Sequence, residues 1–515
     1  MSILHSLRQS LITRQTGFFL AAFVEMAVEA FAVFFNGAYF LGPMTLCVVS
    51  TWLIFITSMF LRRDDFLPFR AISTAPALLL ASLWVWAGIS FLWSIASDLT
   101  WVEFNRTGGY LAVFLLGYLI GGNRRAVSIS AWLFLQITAG ASVYALGTKV
   151  MPQIVENADN LGRISVPVGY VNAMGLLVAL GMPLSLYYSA AKGINAIQRL
   201  LALVSAQLLL ICLFFTLSRG AFLALILGLA VYFTLVPYRL RSFFILLLAG
   251  IPSMLIAWWS TGQDALMKDH VELGLRMGAS GQLLDYLIAV IIPAAACFLI
   301  MLLAGRFVKV PRLAARITGG FILAVILISS VIGAALFVSS KPAFGKWASD
   351  AYTDFTQGVP AGNGAGRLFE IGSSGRWQLW EEASASWGER PLIGSGGQTF
   401  PVLHMLHRET PVFVKQPHGL PFRLLSELGL VGFILGGAFI CMSLALSMLG
   451  WYRTSKRIDK GMAGVLIAVM VTYLAHTAYD WDWNIFALTM PYMFFAGITV
   501  GWAGQLARTH RKNGA

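Results

Sequence analysis

Charge is scarce in this sequence of 515 residues. Only 11% of the residues are Asp, Glu, Lys or Arg, whereas 58% are hydrophobic, and the mean hydropathy is +0.75. Soluble globular domains carry about 25% charged residues. The composition therefore excludes an ordinary soluble protein and indicates that lipid surrounds most of the chain.

Cysteine is also rare, with four residues in the chain. Cys47, Cys212, Cys297 and Cys441 all fall inside apolar runs, which predicts packing roles and no disulfide framework. A short "GSGG" at 394–397 lacks the lysine of a phosphate-binding loop, so we interpret it as a turn. The sequence gives no indication of ATP as an energy source.

Apolar runs of about 17 to 25 residues predict an all-α polytopic membrane protein with about fourteen transmembrane helices. The predicted spans are 17–35, 38–60, 72–93, 108–121, 127–148, 169–190, 198–217, 220–237, 242–260, 283–304, 317–340, 423–449, 462–479 and 485–506. We expect about eleven helices in residues 1–340, one large external loop with an interfacial helix in 341–420, and about three helices in 421–515.

The basic residues predict the orientation of these spans, because short cytoplasmic connections are enriched in Lys and Arg. About 22 of the 36 basic residues fall in alternate connections. Both ends of the chain are therefore expected in the cytoplasm, and the loop 341–420 and the turn 479–483 outside. The net charge of +13 follows from this topology and does not indicate nucleic-acid binding.

The first apolar run has no small-residue cleavage site after it, so we expect it to remain as a helix. Glu25 and Glu29 stand within it, four residues apart on one helical face. Carboxylates are costly in lipid, so both are expected to point into the helix bundle or toward the interface.

Five external features combine charge with a position at the membrane edge. They are Arg163 in "GRISVPVGYVNAMG", Arg219 in "LSRGAF", Arg376 at the start of a tryptophan-rich segment, His418 with Arg423 and Glu427 in "HGLPFRLLSELGLVGF", and Asp480 with Asp482 in "AYDWDW". Outer connections disfavour arginine, so an arginine retained there indicates an anion to be bound.

Two of these features allow more than one interpretation. Arg423 and Glu427 share a helical face, which favours an intrahelical ion pair over an orienting role toward His418. Asp480 and Asp482 either hold a divalent metal, or they cap a helix or pair with external arginines. We favour the second interpretation, because two carboxylates supply few of the six oxygens that magnesium requires.

The motifs and their order over about residues 84–490 resemble those of the O-antigen ligase superfamily of bacterial glycan transferases. The resemblance depends on "RISVPVGYVNAMG", "LSRGAF", "GRWQLWEEASASWGERPLIGSGGQTF" and, most of all, "HGLPFRLLSELGLVGF". Gly419 and Phe422 differ from the residues usual at their positions in that last motif, whereas His418 is the usual residue at its position. The resemblance implies a C-type glycosyltransferase-like fold in the bacterial cytoplasmic membrane, with the active site on the periplasmic side.

The same resemblance implies transfer of a glycan from undecaprenyl pyrophosphate to an acceptor hydroxyl on a glycan or glycolipid, without a nucleotide, metal or other cofactor. It implies His418 as the catalytic base and Arg163, Arg219 and Arg376 as pyrophosphate ligands. Supporting roles are expected for Arg423, Glu427, Asp480 and Asp482. The chemistry is consistent, because guanidinium groups bind phosphate through paired charged hydrogen bonds and imidazole accepts a proton near neutral pH.

Two other functions compete with ligation. A polymerase that joins one lipid-linked repeat to another would use similar machinery. A transporter or flippase of lipid-linked glycan would place its charges near the middle of the membrane, on broken helices. The clustering of charges at the outer side favours an enzyme.

Overall fold

All regular elements are helices in the part of the chain that the computed structural model describes. That part comprises residues 2–60, 73–157, 162–307, 344–357, 365–369, 372–409 and 411–512, with short pieces between 317 and 340. The α-helices are α1 Ser2–Phe34, α2 Leu41–Phe60, α3 Ala75–Ile89, α4 Ser97–Ile120, α5 Arg124–Val150, α6 Val171–Ala190, α7 Ala196–Thr216, α8 Arg219–Leu235, α9 Arg239–Thr261, α10 Asp264–Met267, α11 Leu273–Phe307, α12 Phe344–Thr356, α13 Arg376–Glu389, α14 Phe400–His407, α15 Leu420–Arg453, α16 Arg457–Thr477 and α17 Phe486–Lys512.

The protein is a polytopic helical membrane protein, as predicted. Eleven helices of the described residues are long and apolar enough to cross a membrane. The helix α8 is apolar but has only 17 residues. The predicted span 317–340 lies mostly outside the described residues, so the number of spans stays a prediction.

One predicted boundary is wrong. The span expected at 108–121 is only the second half of α4, which begins at Ser97 in a stretch predicted to be a loop. Asp98, Glu103 and Arg106 lower the hydropathy of its first half. Glu103 and Arg106 are nevertheless buried, because they pair with each other and with other helices.

Close contact between helices explains why α4 belongs to the bundle. A Cβ atom added to Gly117 on α4 would lie 2.3 Å from the carbonyl oxygen of Phe494 on α17, and one added to Gly497 would lie 2.1 Å from that of Phe114. Only glycine allows the two backbones to approach so closely, as in other membrane helix pairs.

The "LSRG" motif separates two helices, as predicted. The helix α7 ends at Thr216, and Leu217 takes a left-handed conformation with φ 48°. Ser218 then caps α8 by accepting a hydrogen bond from the backbone N–H of Ala221 at 3.3 Å. Arg219 is therefore the first residue of α8, fixed at the helix N-terminus by the cap.

The helix α15 is interrupted at Gly429, where φ is 66° and ψ is −169°. The break frees backbone groups, and the N–H of Leu430 donates to the carbonyl of Pro391 at 2.8 Å. The chain after Pro391 then forms the glycine-rich turn predicted at 394–397, in which the N–H of Gly396 donates to the carbonyl of Glu427 at 2.8 Å. Residues 391–396 are thus attached by backbone hydrogen bonds to residues 427–430 of α15, shortly after His418.

Candidate active site

Asp480 is the centre of a polar cluster in the turn between α16 and α17. Its side chain is 1% exposed. Arg376 donates to its Oδ2 at 2.8 Å, and Asn172 donates to the same oxygen at 2.9 Å. The backbone N–H of Trp481 and the hydroxyl of Tyr170 donate at 2.9 and 3.4 Å. The carboxylate therefore accepts hydrogen bonds from the adjacent residue and from two distant parts of the sequence.

His418 contacts this carboxylate directly. Its Nδ1 lies 3.2 Å from Oδ1 of Asp480, and its side chain is 18% exposed. The adjacent carboxylate favours the tautomer with its hydrogen on Nδ1, and in that tautomer Nε2 is the nitrogen that can accept a proton. The arrangement matches the base and orienting carboxylate found in many transferases and hydrolases.

The backbone of His418 is held in an unusual conformation. Its φ is 51°, which a residue with a side chain adopts only when its surroundings enforce it. The indole N–H of Trp380 on α13 donates to the carbonyl of His418 at 2.8 Å. Trp380 also stacks on Phe422 with ring centroids 5.0 Å apart. The departure from the family motif at Phe422 thus supplies a partner for this stack.

Gly419, the other departure, lies against the turn that carries Asp480. A Cβ atom added there would lie 3.0 Å from the carbonyl oxygen of Ala478. A larger residue at this position would push the histidine loop away from the aspartate, so glycine fits the close approach.

Arg376 is the first residue of α13 and pairs with Asp480. Burial alone would lower the pKa of its guanidinium, but the adjacent carboxylate raises that pKa above the usual value. Burial would likewise raise the pKa of Asp480, but Arg376 and His418 hold it well below the usual value. Asp480 is therefore ionised at working pH. Gly375 occupies the N-cap position of α13, so no side chain caps this helix.

Arg163 reaches the same cluster through Asn172. Its NH2 group donates to Oδ1 of Asn172 at 3.1 Å, and its Nε donates to the carbonyl of Thr216 at 2.8 Å. Burial first, and then repulsion from Arg367 and Arg219, lower the pKa of its guanidinium to about 10. The guanidinium remains charged at neutral pH, in surroundings that hold other positive charges.

Arg219 contacts the segment that leads into α13. Its NH2 group donates to the carbonyl of Gly372 and to the hydroxyl of Ser374, each at 3.1 Å. Arg219 therefore joins the start of α8 to the residues immediately before Arg376. The three predicted arginines come from separate segments and are connected to Asp480 in different ways. Arg376 contacts it directly, Arg163 is joined to it through Asn172, and Arg219 contacts the residues just before Arg376.

A second charged cluster lies deeper, and it includes Arg423 and Glu427. Arg423 Nε lies 3.1 Å from Glu427 Oε2, so the predicted intrahelical pair is present. Arg423 also pairs with Glu103 on α4, and Glu427 accepts the backbone N–H of Gln398 at 2.7 Å. Arg106 joins Glu103 to the side chain of Gln398 at 2.8 and 2.7 Å. This cluster fixes the first turns of α15 against α4 and the glycine-rich turn.

Asp482 does not share the partners of Asp480. It pairs with His476 inside the bundle, where Oδ2 lies 2.6 Å from Nδ1 and both side chains are fully buried. Burial raises the pKa of Asp482, whereas Arg376 and His418 lower that of Asp480. Pairing with an external arginine is thus found for Asp480, whereas Asp482 pairs with a buried histidine instead.

Sequence inspection missed four residues of these clusters. Tyr170 and Asn172 stand in the quoted "GYVNAMG" motif but are uncharged, and Glu103 was assigned to a loop. Arg367 lies in the short helical turn Ala365–Phe369 and is near enough to lower the pKa of Arg163. A search for every arginine in an outer connection would have found Arg367, since charge asymmetry disfavours arginine there.

Comparison with known proteins supports the family expected from the motifs. Residues 286–436 match the family model described as O-Antigen ligase. This region contains α13, α14, His418 and the interrupted start of α15. No curated protein matches the chain. Over this matched region the chain is similar to the O-antigen ligase family, the family that its motifs resemble.

Proposed function

We propose that the protein transfers a glycan from a polyprenyl pyrophosphate donor, undecaprenyl pyrophosphate in bacteria, to an acceptor hydroxyl at the outer side of the cytoplasmic membrane. The contact between His418 and Asp480, surrounded by Arg163, Arg219 and Arg376, is the observation that carries the proposal. It brings a proton acceptor and a group of cations together at the end of a helix bundle. These are the two requirements of glycosyl transfer from a pyrophosphate.

The proposed reaction is a single displacement at the anomeric carbon of the donor. The acceptor oxygen forms the new bond to C1, and the bond from C1 to the pyrophosphate oxygen breaks. The acceptor proton goes to Nε2 of His418, and Asp480 stabilises the imidazolium that results. Lipid pyrophosphate leaves with the electron pair, and the configuration at C1 inverts.

The arginines supply the charge that the leaving group requires. Negative charge develops on the pyrophosphate oxygen as the bond breaks, and fixed guanidinium groups stabilise it without reorganising. Arg376 donates to Asp480 at 2.8 Å, so its charge is shared with that carboxylate. We assign pyrophosphate contacts to Arg163, Arg219 and Arg376, and a second role to Arg376, which also holds Asp480.

The mechanism is tested by His418→Ala, with His407→Ala as a matched control from the same external segment. Purified protein is assayed separately for thermal unfolding, for binding of the lipid-linked donor and for transfer. We expect His418→Ala to fold and bind donor but to transfer about 10²- to 10⁴-fold more slowly, whereas His407→Ala retains activity. Near wild-type transfer by His418→Ala would refute the base assignment. Activity that disappears in a chelator and returns with magnesium would refute the metal-free mechanism.

Ligation and polymerisation are separated by what accumulates in cells that lack the protein. Finished chains on the lipid carrier indicate a ligase, whereas single repeats on the carrier indicate a polymerase. Normal glycan on the cell surface with no accumulated donor would oppose both.

A further inference from the structure

Glu25 and Glu29 form a buried carboxylate pair inside the membrane-spanning part of α1. The span covers Thr16–Phe34. At about 1.5 Å per residue, Glu29 lies roughly 7.5 Å and Glu25 roughly 13.5 Å from the end at Phe34. Both depths fall within a hydrocarbon core about 30 Å thick.

Both side chains point into the bundle, because each is 0% exposed. The hydroxyl of Thr51 on α2 donates to Glu25, at 3.3 Å from each carboxylate oxygen. Both oxygens of Glu29 are buried without a hydrogen-bond partner in the described residues. Neither glutamate forms a salt bridge within the part of the chain that the structure describes.

Two adjacent carboxylates without a cationic neighbour cannot both remain charged in this environment. Removal of an unpaired carboxylate from water costs several kcal/mol or more, and a second negative charge one helical turn away adds repulsion. Glutamine would fill nearly the same space without either cost. The pair therefore requires a positive ligand, since no protein group among the described residues supplies one.

We propose that Glu25, Glu29 and Thr51 form a binding site for a monovalent cation, either a proton or sodium. The site offers four carboxylate oxygens and one hydroxyl. Hard cations prefer such oxygen ligands. A proton shared between the two carboxylates would satisfy the same electrostatic requirement. This site is independent of the proposed glycan transfer, because none of its residues contacts the cluster around Asp480.

The site is tested with dicyclohexylcarbodiimide, an apolar reagent that labels protonated carboxyl groups in membrane helices. The full-length protein is reconstituted in sodium-free nanodiscs and treated between about pH 6 and pH 9, with sodium chloride or choline chloride added. Mass spectrometry then locates the adduct. Glu29→Gln and Glu25→Gln remove each carboxylate in turn, and Glu272→Gln is the control at an exposed glutamate.

We expect an adduct on Glu25 or Glu29 in sodium-free buffer that is unaffected by Glu272→Gln. A proton site predicts labelling that decreases about tenfold per pH unit above the midpoint pH of labelling and that does not change when sodium is added. A sodium site predicts labelling that sodium suppresses at least tenfold and choline does not. Both glutamine variants should fold, since each removes a buried charge, and their thermal unfolding verifies this.

Two results would overturn the proposal. Labelling that is independent of both pH and sodium would show a permanently protonated structural pair. The absence of any adduct, together with an infrared spectrum in which Glu29→Gln removes no protonated-carboxyl band, would show that no cation exchanges at the pair. The infrared measurement separates this outcome from a site that the reagent cannot reach.

Discussion

Replacement of Asp480 by asparagine isolates the charge that links the proposed base to the arginines. Asparagine has nearly the same shape and can still accept hydrogen bonds from Arg376 and Asn172, which lie at 2.8 and 2.9 Å. It cannot stabilise an imidazolium on His418, whose Nδ1 lies 3.2 Å from the carboxylate. The substitution therefore removes the charge while retaining most of the packing.

We expect Asp480→Asn to slow transfer by about 10²- to 10⁴-fold. Since each factor of ten in rate corresponds to about 1.36 kcal/mol, the loss of transition-state stabilisation is about 2.7 to 5.4 kcal/mol. Tyr170→Phe is the matched control. It removes the long contacts of 3.4 and 3.5 Å to the same carboxylate and the hydrogen bond of 2.7 Å that Tyr170 accepts from Asn172, but it removes no charge. We therefore expect its rate to stay within about threefold of wild type.

The pH dependence of stability provides a second measurement. Arg376 and His418 outweigh burial and hold the pKa of Asp480 below its ordinary value of 3.8. The carboxylate therefore stabilises the fold fully above that ordinary value, and this contribution disappears as the pH falls toward the lowered pKa. The difference in unfolding free energy between wild type and Asp480→Asn should stay constant from about pH 5 to pH 9 and shrink below about pH 4.

The assay measures donor binding and transfer on purified protein, with thermal unfolding recorded for each variant. Transfer by a folded Asp480→Asn protein within tenfold of the wild-type rate would refute the role of the carboxylate. An equal loss of transfer rate in Tyr170→Phe would show that any change in the cluster slows transfer, and that the missing charge is not the cause.

Three further predictions concern the surroundings of this cluster. The transfer rate of Arg219→Lys should lie within about threefold of the rate of Arg219→Ala, because an ammonium keeps the charge but loses the planar fork that binds two phosphate oxygens. A rate above half that of wild type in the lysine variant would show that the fork is not needed. His404→Gln should lower the unfolding free energy by about 2 to 4 kcal/mol, because the buried ring contacts Glu382 at 2.6 Å and the carbonyl of Val412 at 3.0 Å. Thermal unfolding tests this prediction. The control is His407→Gln, which changes a more exposed ring and should alter the unfolding free energy by less than about 1 kcal/mol. A cysteine at the exposed Ala385, in an otherwise cysteine-free chain, should react with an impermeant thiol reagent in intact spheroplasts; reaction only after lysis would reverse the proposed orientation.

The sequence by itself determined that the protein is a helical membrane protein and where most of its helices lie. The cost of exposing polar groups to lipid makes each span a continuous apolar run, so hydropathy locates it without knowledge of its neighbours. The division of "LSRG" into a helix end and a helix start also followed from local residues. In α4 this local rule failed, because Glu103 pairs with Arg106 on the same helix and with Arg423, which is far away in the sequence.

Only the tertiary structure decided which charged residues act together. The sequence placed Asp480 and Asp482 side by side, yet the first pairs with Arg376 and His418 and the second with His476. Arg423 and His418 stand five residues apart, yet they belong to different clusters. Charge pairing depends on distances of a few ångströms, and these distances are set by how α4, α13, α15 and α16 pack. Periodicity along one helix carries no information about such packing between helices separated by hundreds of residues.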